Sequence, residues 1–126
     1  MKVRNTLAIL AFALAITFAT PAFAHRVPPH HLTAKQAARK AVVLRSAAPL
    51  HLSRAELSAL VTLCWRESSW RPTARNHSCK GLFQLKTQSR KWADPRWNTR
   101  RANRYVHKRY GSWRAALAHS FRKSWY

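Results

Sequence analysis

Lysine and arginine supply 24 residues of this 126-residue chain and aspartate and glutamate only 3, a formal charge of +21 at pH 7. Self-repulsion on that scale works against any compact state. A fold that survives it needs a strong apolar core. The sequence has the material: 47% of residues are hydrophobic, 11% are aromatic and six are Trp. That is too apolar for a disordered basic tail. The length suits one small core rather than two. Only two glycines are present, against a usual share of about 7%. A glycine-rich phosphate loop and a glycine-kinked barrel are therefore unexpected. Three carboxylates leave no acidic cluster for Ca²⁺ or Mg²⁺, so no metal and no cofactor is expected.

The first 24 residues read as an address. Lys2 and Arg4 precede an apolar run from Leu7 to Ala19, and Thr20-Pro21-Ala22-Phe23-Ala24 ends it. A basic start, an apolar middle and an A-x-A ending make a secretory signal peptide cut after Ala24. The competing reading is a membrane anchor, since Thr6 to Ala24 approaches the ~20 residues a span requires. Pro21 and the A-x-A ending favour cleavage. The expected location is secreted, periplasmic or at the cell wall. All seven His lie beyond the cut, so mild acid adds to the positive charge.

Export bears on Cys64 and Cys79, the only cysteines. A lone pair in an oxidising compartment is most simply a disulfide. Closing a loop of about 15 residues is worth about 3 kcal/mol in the chain-entropy model. A Cys–His nucleophile and a zinc site that adds His77 are the alternatives, the latter without a standard ligand spacing.

The segment His25 to Leu32 holds Pro28, Pro29 and three His and reads as an extended leader. Thr33 can cap a helix from Ala34 to Ala47, with Ala34, Ala37, Ala38 and Ala41 at helical spacing. Alanine is a weak core former, so this helix is expected to pack lightly or act as a linker until Pro49 ends it. Residues 25–50 thus form a basic leader, and 51–126 form the main domain. Ser53-Arg54-Ala55-Glu56 is a capping box, with Leu52 and Leu57 placed for a hydrophobic staple. Leu57, Leu60, Val61 and Cys64 then recur at i, i+3, i+4 and i+7. Pro72 stops that helix, Asn76-His77-Ser78 carries turn chemistry, and backbone geometry is expected to place Gly81. Asp94 before Pro95 reads as a turn or cap. Asn98 is expected to cap a helix through Tyr110, with Ala102, Tyr105, Val106 and Arg109 on one face and Gly111 ending it. Ser112 caps a last helix from Trp113 to Trp125, with Trp113, Ala116, Leu117, Ser120 and Phe121 along one side. No strand alternates for more than a few residues, so the fold is mostly α.

Glu67 continues the apolar stripe, four residues after Leu63 and three after Cys64. Desolvation and the negative end of a helix both raise a carboxyl pKa. Arg66, Arg71 and Arg75 oppose that, and a salt bridge to one of them is the plainer alternative. With Glu56 assigned to a cap and Asp94 to a turn, Glu67 is the acid left for chemistry. Most glycosidases use two carboxylates. A single one suffices where the substrate's own acetamido group assists or a sugar hydroxyl attacks. In the second route one Glu acts as acid and then as base. Trp65, Trp70, Trp92 and Trp97 can stack on sugar faces, although most Trp are core.

The run Glu67-Ser68-Ser69-Trp70-Arg71-Pro72-Thr73-Ala74-Arg75-Asn76, followed by Cys79-Lys80-Gly81-Leu82-Phe83-Gln84, resembles the SLT-type lytic transglycosylase domain of small secreted bacterial proteins. Trp92-Ala93-Asp94-Pro95, Arg109 to Trp113, Ala116 to His119 and Trp125-Tyr126 look like its C-terminal half. The resemblance covers about residues 51–126. It implies a lysozyme-like helical domain in which Glu67 is the catalytic acid/base. The bond cut would be the β-1,4 link between N-acetylmuramic acid and N-acetylglucosamine in peptidoglycan, often leaving a 1,6-anhydro product. Ser68 and Gln84 would place substrate and Glu67, and Phe83 would shape the cleft. Trp70, Asn76 and Tyr105 would complete the substrate contacts. Where many relatives carry Ala-Tyr-Asn, this chain has Ala118-His119-Ser120-Phe121, so whether the product is anhydro or hydrolysed stays open.

Arg96, Arg100, Arg101, Arg104, Lys108 and Arg109 crowd one helix. A solvated basic face is the plain reading, and nucleic acid is the generic partner of such a stripe. Outside the cytoplasm, anionic wall polymers and lipid headgroups fit better than any specific nucleic acid. The expected partner is peptidoglycan, with the protein a monomer. A cationic envelope-binding or antimicrobial protein on an inactive scaffold is the rival.

Overall fold

A computed structural model describes residues 27–126. The signal peptide, its cut at Ala24 and the anchor alternative lie outside the described residues. Four α-helices and a small sheet follow one another: α1 (Ala34–Ala47), α2 (Arg54–Ser68), β1 (Arg75–Asn76), β2 (Cys79–Lys80), β3 (Leu85–Lys86), α3 (Pro95–Tyr110) and α4 (Trp113–Lys123). Among the described residues no helix is long and apolar enough to cross a membrane.

The Thr33 cap forms as its chemistry predicts. Its hydroxyl accepts from the Gln36 amide at 3.2 Å, and the Gln36 side chain accepts from the Thr33 amide at 2.9 Å. The helix that follows is no loose linker. Val43 and Ala47 are fully buried in the common core, and α1 packs on α3 and α2. The alanine face carries little of this. Val43, which the alanine spacing did not single out, is the anchor.

Helix α2 is the central element. Leu60, Leu63 and Cys64 are completely buried, each apolar side chain worth about 2 kcal/mol of transfer free energy. The Ser53 hydroxyl caps it by accepting from the Glu56 amide at 3.3 Å. The reciprocal half of the expected box is not made. The Glu56 carboxylate instead accepts from the Trp113 amide at 2.7 Å and the Arg114 amide at 3.3 Å. These are unpaired N–H groups at the start of α4, where the helix dipole favours an anion. The packing of α2 on α4 brings them within reach.

Beyond α2 the chain forms a three-stranded antiparallel sheet in the order β1-β2-β3. Arg75 pairs with Lys80, and Lys80 with Leu85. Each strand is two residues long, too short for an alternation to register in sequence. The turn expected at Asn76-His77-Ser78 joins β1 to β2, with His77 left-handed at φ 52°.

Asp94 caps α3, its carboxylate accepting from the Trp97 amide at 2.9 Å, with Pro95 as the first helical residue. Asn98 is therefore not a cap. It lies inside the helix, fully buried. Its carbonyl oxygen accepts from the Phe83 amide at 3.0 Å, and its amide donates to the carbonyls of Trp92 (3.0 Å) and Lys80 (3.3 Å). This one side chain ties the Gly81–Phe83 turn to α3. Gly81 sits against it at φ 83°, where a Cβ would run into the Asn98 amide and come within 2.6 Å of the Trp92 carbonyl oxygen. On α3 the buried face is Thr99, Ala102 and Val106, while Tyr105 and Arg109 lie outside it. Gly111 ends α3 at φ 81° and Ser112 caps α4. Helix α4 stops at Lys123 rather than Trp125, and Phe121 is 42% exposed under the Arg66 guanidinium at 4.2 Å.

The expected disulfide is absent: both thiols are free. Cys64 is fully buried in the core, its thiol donating to the Leu82 carbonyl at 3.5 Å. Cys79, on β2, is half-buried and lines a cavity.

Candidate active site

Glu67 is the next-to-last residue of α2 and lines a cavity of about 710 Å³. The walls come from the last turn of α2, the sheet, α3 and the stretch after α4. Glu67 is the only acidic side chain among the lining residues. Burial pushes its pKa from 4.5 up to about 7, with the Arg66 guanidinium pulling the other way. Its carboxyl thus keeps a proton near neutrality, the condition for a general acid.

The backbone around it is held in unusual conformations. Ser69 (φ 53°) and Trp70 (φ 58°) are consecutive left-handed residues directly after Glu67-Ser68, and Gln84 across the cavity has φ 48°. A bulky left-handed residue costs about 1–3 kcal/mol and persists only where its surroundings enforce it. Here they do. Trp70 is fully buried, with its indole N–H donating to the Val61 carbonyl at 2.9 Å and its ring 4.6 Å from that of Trp65. Gln84 is locked by its amide, which donates to the carbonyls of Gly81 (2.9 Å) and Ala74 (3.2 Å). Strain of this kind clusters at functional sites.

The expected site residues divide. Ser68, Asn76, Gln84 and Tyr105 reach the cavity with Glu67. The Ser68 hydroxyl is turned back onto its own helix, donating to the Cys64 carbonyl at 3.1 Å. Gln84 braces two loops with its amide. Two residues do not reach the cavity as substrate contacts. Trp70 packs in the core because its indole completes the α2 interior. Phe83 is likewise fully buried, its ring 5.2 Å from that of Trp113.

The sequence reading missed Tyr126 and Trp125. Tyr126 closes one side of the cavity, its hydroxyl donating to the Phe83 carbonyl. Burial holds that phenol well above its ordinary pKa, and the Glu67 charge adds to the effect. Trp125 is half exposed at the rim, its ring 4.6 Å from that of His119. Their one signal in sequence was the Trp125-Tyr126 pair in the stretch that resembles the C-terminal half of the transglycosylase domain. Basic residues complete the lining: Arg66, Arg71, Arg75, Lys86 and Arg101. Arg66 is buried, its Nε donating to the Ser120 hydroxyl at 2.8 Å. Among the described residues no cluster of three His, Cys, Asp or Glu forms a metal site.

Comparison with protein-family models, curated proteins and solved structures returns no match to this chain.

Proposed function

We propose that this chain is a peptidoglycan-cleaving enzyme with a lysozyme-like domain, a lytic transglycosylase or muramidase that uses Glu67 as its single acid/base. The observation that carries the reading is a lone carboxyl in a cavity, protonated to about pH 7 by burial. In the first step the Glu67 carboxyl donates its proton to the glycosidic oxygen as the C1–O bond breaks. Its carboxylate then takes a proton from the incoming nucleophile. If the muramic C6 hydroxyl attacks, the product is a 1,6-anhydro sugar; if water attacks, it is a reducing end. No second acid lines the cavity, so the one group serves both steps, which demands a pKa near the working pH. Tyr105 and Trp125 at the rim offer faces for sugar rings. Secretion after Ala24 would deliver the protein to the wall, where its charge favours retention on anionic polymers and lipid headgroups.

A cationic envelope-binding protein is the second reading, favoured by the formal charge of +21. A digest of purified peptidoglycan separates them, with products read by mass spectrometry. The chain from His25 onward should release muropeptides, and Glu67→Gln should lower release by at least about 100-fold. Anhydro products make it a transglycosylase and reducing ends a muramidase. No release by either form would replace the enzyme reading with the cationic one.

A further inference from the structure

We infer that the cavity takes a glycan whose bound sugar carries an ionised carboxylate, held by Arg101 and Lys86. The inference rests on the glycan-cleaving reading above.

The cavity's cations are engaged in two ways. Arg66 donates to the Ser120 hydroxyl and carbonyl and lies over the Phe121 ring. The Arg71 Nε donates to the Ser68 carbonyl at 3.0 Å. Arg75 is stacked over Trp92 at 5.4 Å. These three brace the walls. Arg101, on α3, and Lys86, on β3, are exposed, and each lines the cavity from a different element. The single acidic side chain among the lining residues is Glu67, which is neutral below about pH 7. The concave surface therefore presents uncompensated positive charge, and a low-dielectric cleft focuses such a field. Neutral sugar hydroxyls leave that charge unmatched. A carboxylate matches it, with a guanidinium fork and an ammonium as donors.

In peptidoglycan the muramic lactyl carboxylate is masked wherever a peptide is joined to it through an amide. A cavity selecting the free anion favours strands from which the peptides have been removed. The class of reaction that supplies this substrate is hydrolysis of that amide.

The test uses two pools: glycan strands stripped of peptide, and the same strands with their carboxylates coupled to methylamine. The wild-type chain should show a KM about tenfold lower for the free-acid pool, fading at about 0.5 M salt. Arg101→Gln/Lys86→Gln should raise KM on the free-acid pool to that on the coupled pool and so abolish the preference, and Arg101→Lys/Lys86→Arg should keep it. Equal KM values for the two pools in the wild type would overturn the proposal. So would the same loss from Arg104→Gln/Lys108→Gln, exposed residues away from the cavity, since that assigns the effect to bulk charge. Binding to the Glu67→Gln chain, read by calorimetry, reports the preference without cleavage. A preference there with no cleavage by wild type would sink the enzyme reading and leave the anion site standing; cleavage of both pools without preference would do the reverse.

Discussion

At the scale of single residues the molecule is governed by burial beside charge. Glu67 ionises near 4.5 in the unfolded chain and near about 7 in the folded one. Between those values the folded state holds a proton that the unfolded state has lost. Its contribution to stability is thus fully present below about pH 4.5 and lost as pH rises through about 7, on the order of 3 kcal/mol in all. Urea unfolding of Glu67→Gln should show a gain over wild type at about pH 8 and little at about pH 4; the same difference at both would contradict the raised carboxyl. The cysteines make a second residue-scale prediction. Burial drives the Cys64 thiol pKa far up, with the Ser68 contact opposing and the Glu67 charge adding. A thiol reagent should label Cys79 in the native protein and Cys64 only on unfolding. Reductant should leave the melting temperature unchanged. An unfolded, unreduced chain with no reactive thiol would restore the disulfide.

At the scale of elements, the decisive contacts are those in which one segment finishes another. Glu56 begins α2 and caps α4, while Asn98 sits in α3 and fastens the Gly81–Phe83 turn. Glu56→Ala should cost about 2 kcal/mol, as two charge-assisted bonds to a helix start are lost. Ser53→Ala, which removes only the local cap, should cost about 1 kcal/mol. Denaturant midpoints measure both. Equal losses would mean that the carboxylate works within α2 after all. These cross-element roles were illegible in sequence for a plain reason. Ser53-x-x-Glu56 satisfies the local rule for a capping box, and Asn before a helical run satisfies the rule for a cap. Only the docking of α2 on α4 and of the turn on α3 offers those side chains better partners.

At the scale of the whole molecule, a small core holds together most of a formal charge of +21. Buried Trp70, Trp113, Phe83 and the α2 leucines oppose the repulsion. Screening should help them. Raising salt from about 10 mM to about 300 mM shortens the Debye length from ~30 Å to under ~10 Å. Melting should then rise by about 5 °C, some 1 kcal/mol of relieved repulsion. A flat or falling melting curve against salt would show that the charges are compensated locally. Helix α1 belongs to this same core through Val43 and Ala47, so the leader and the main domain stand or fall together.

What the sequence by itself determined is local. The helix starts at Thr33, Ser53 and Ser112, the stop at Gly111 and the mostly helical class were legible, because caps and 3.6-residue spacing act within a few residues; the start of α3 was expected at Asn98 and falls at Asp94. The burial of Glu67 was legible too, since it extends an apolar stripe. The tertiary structure alone decided the rest. It turned Trp70 and Phe83 into the core, left Cys64 and Cys79 as free thiols, formed a sheet from two-residue strands and brought Tyr126 to the cavity beside Glu67. Each depends on which way a side chain faces once distant segments pack, and no spacing along the chain encodes that direction.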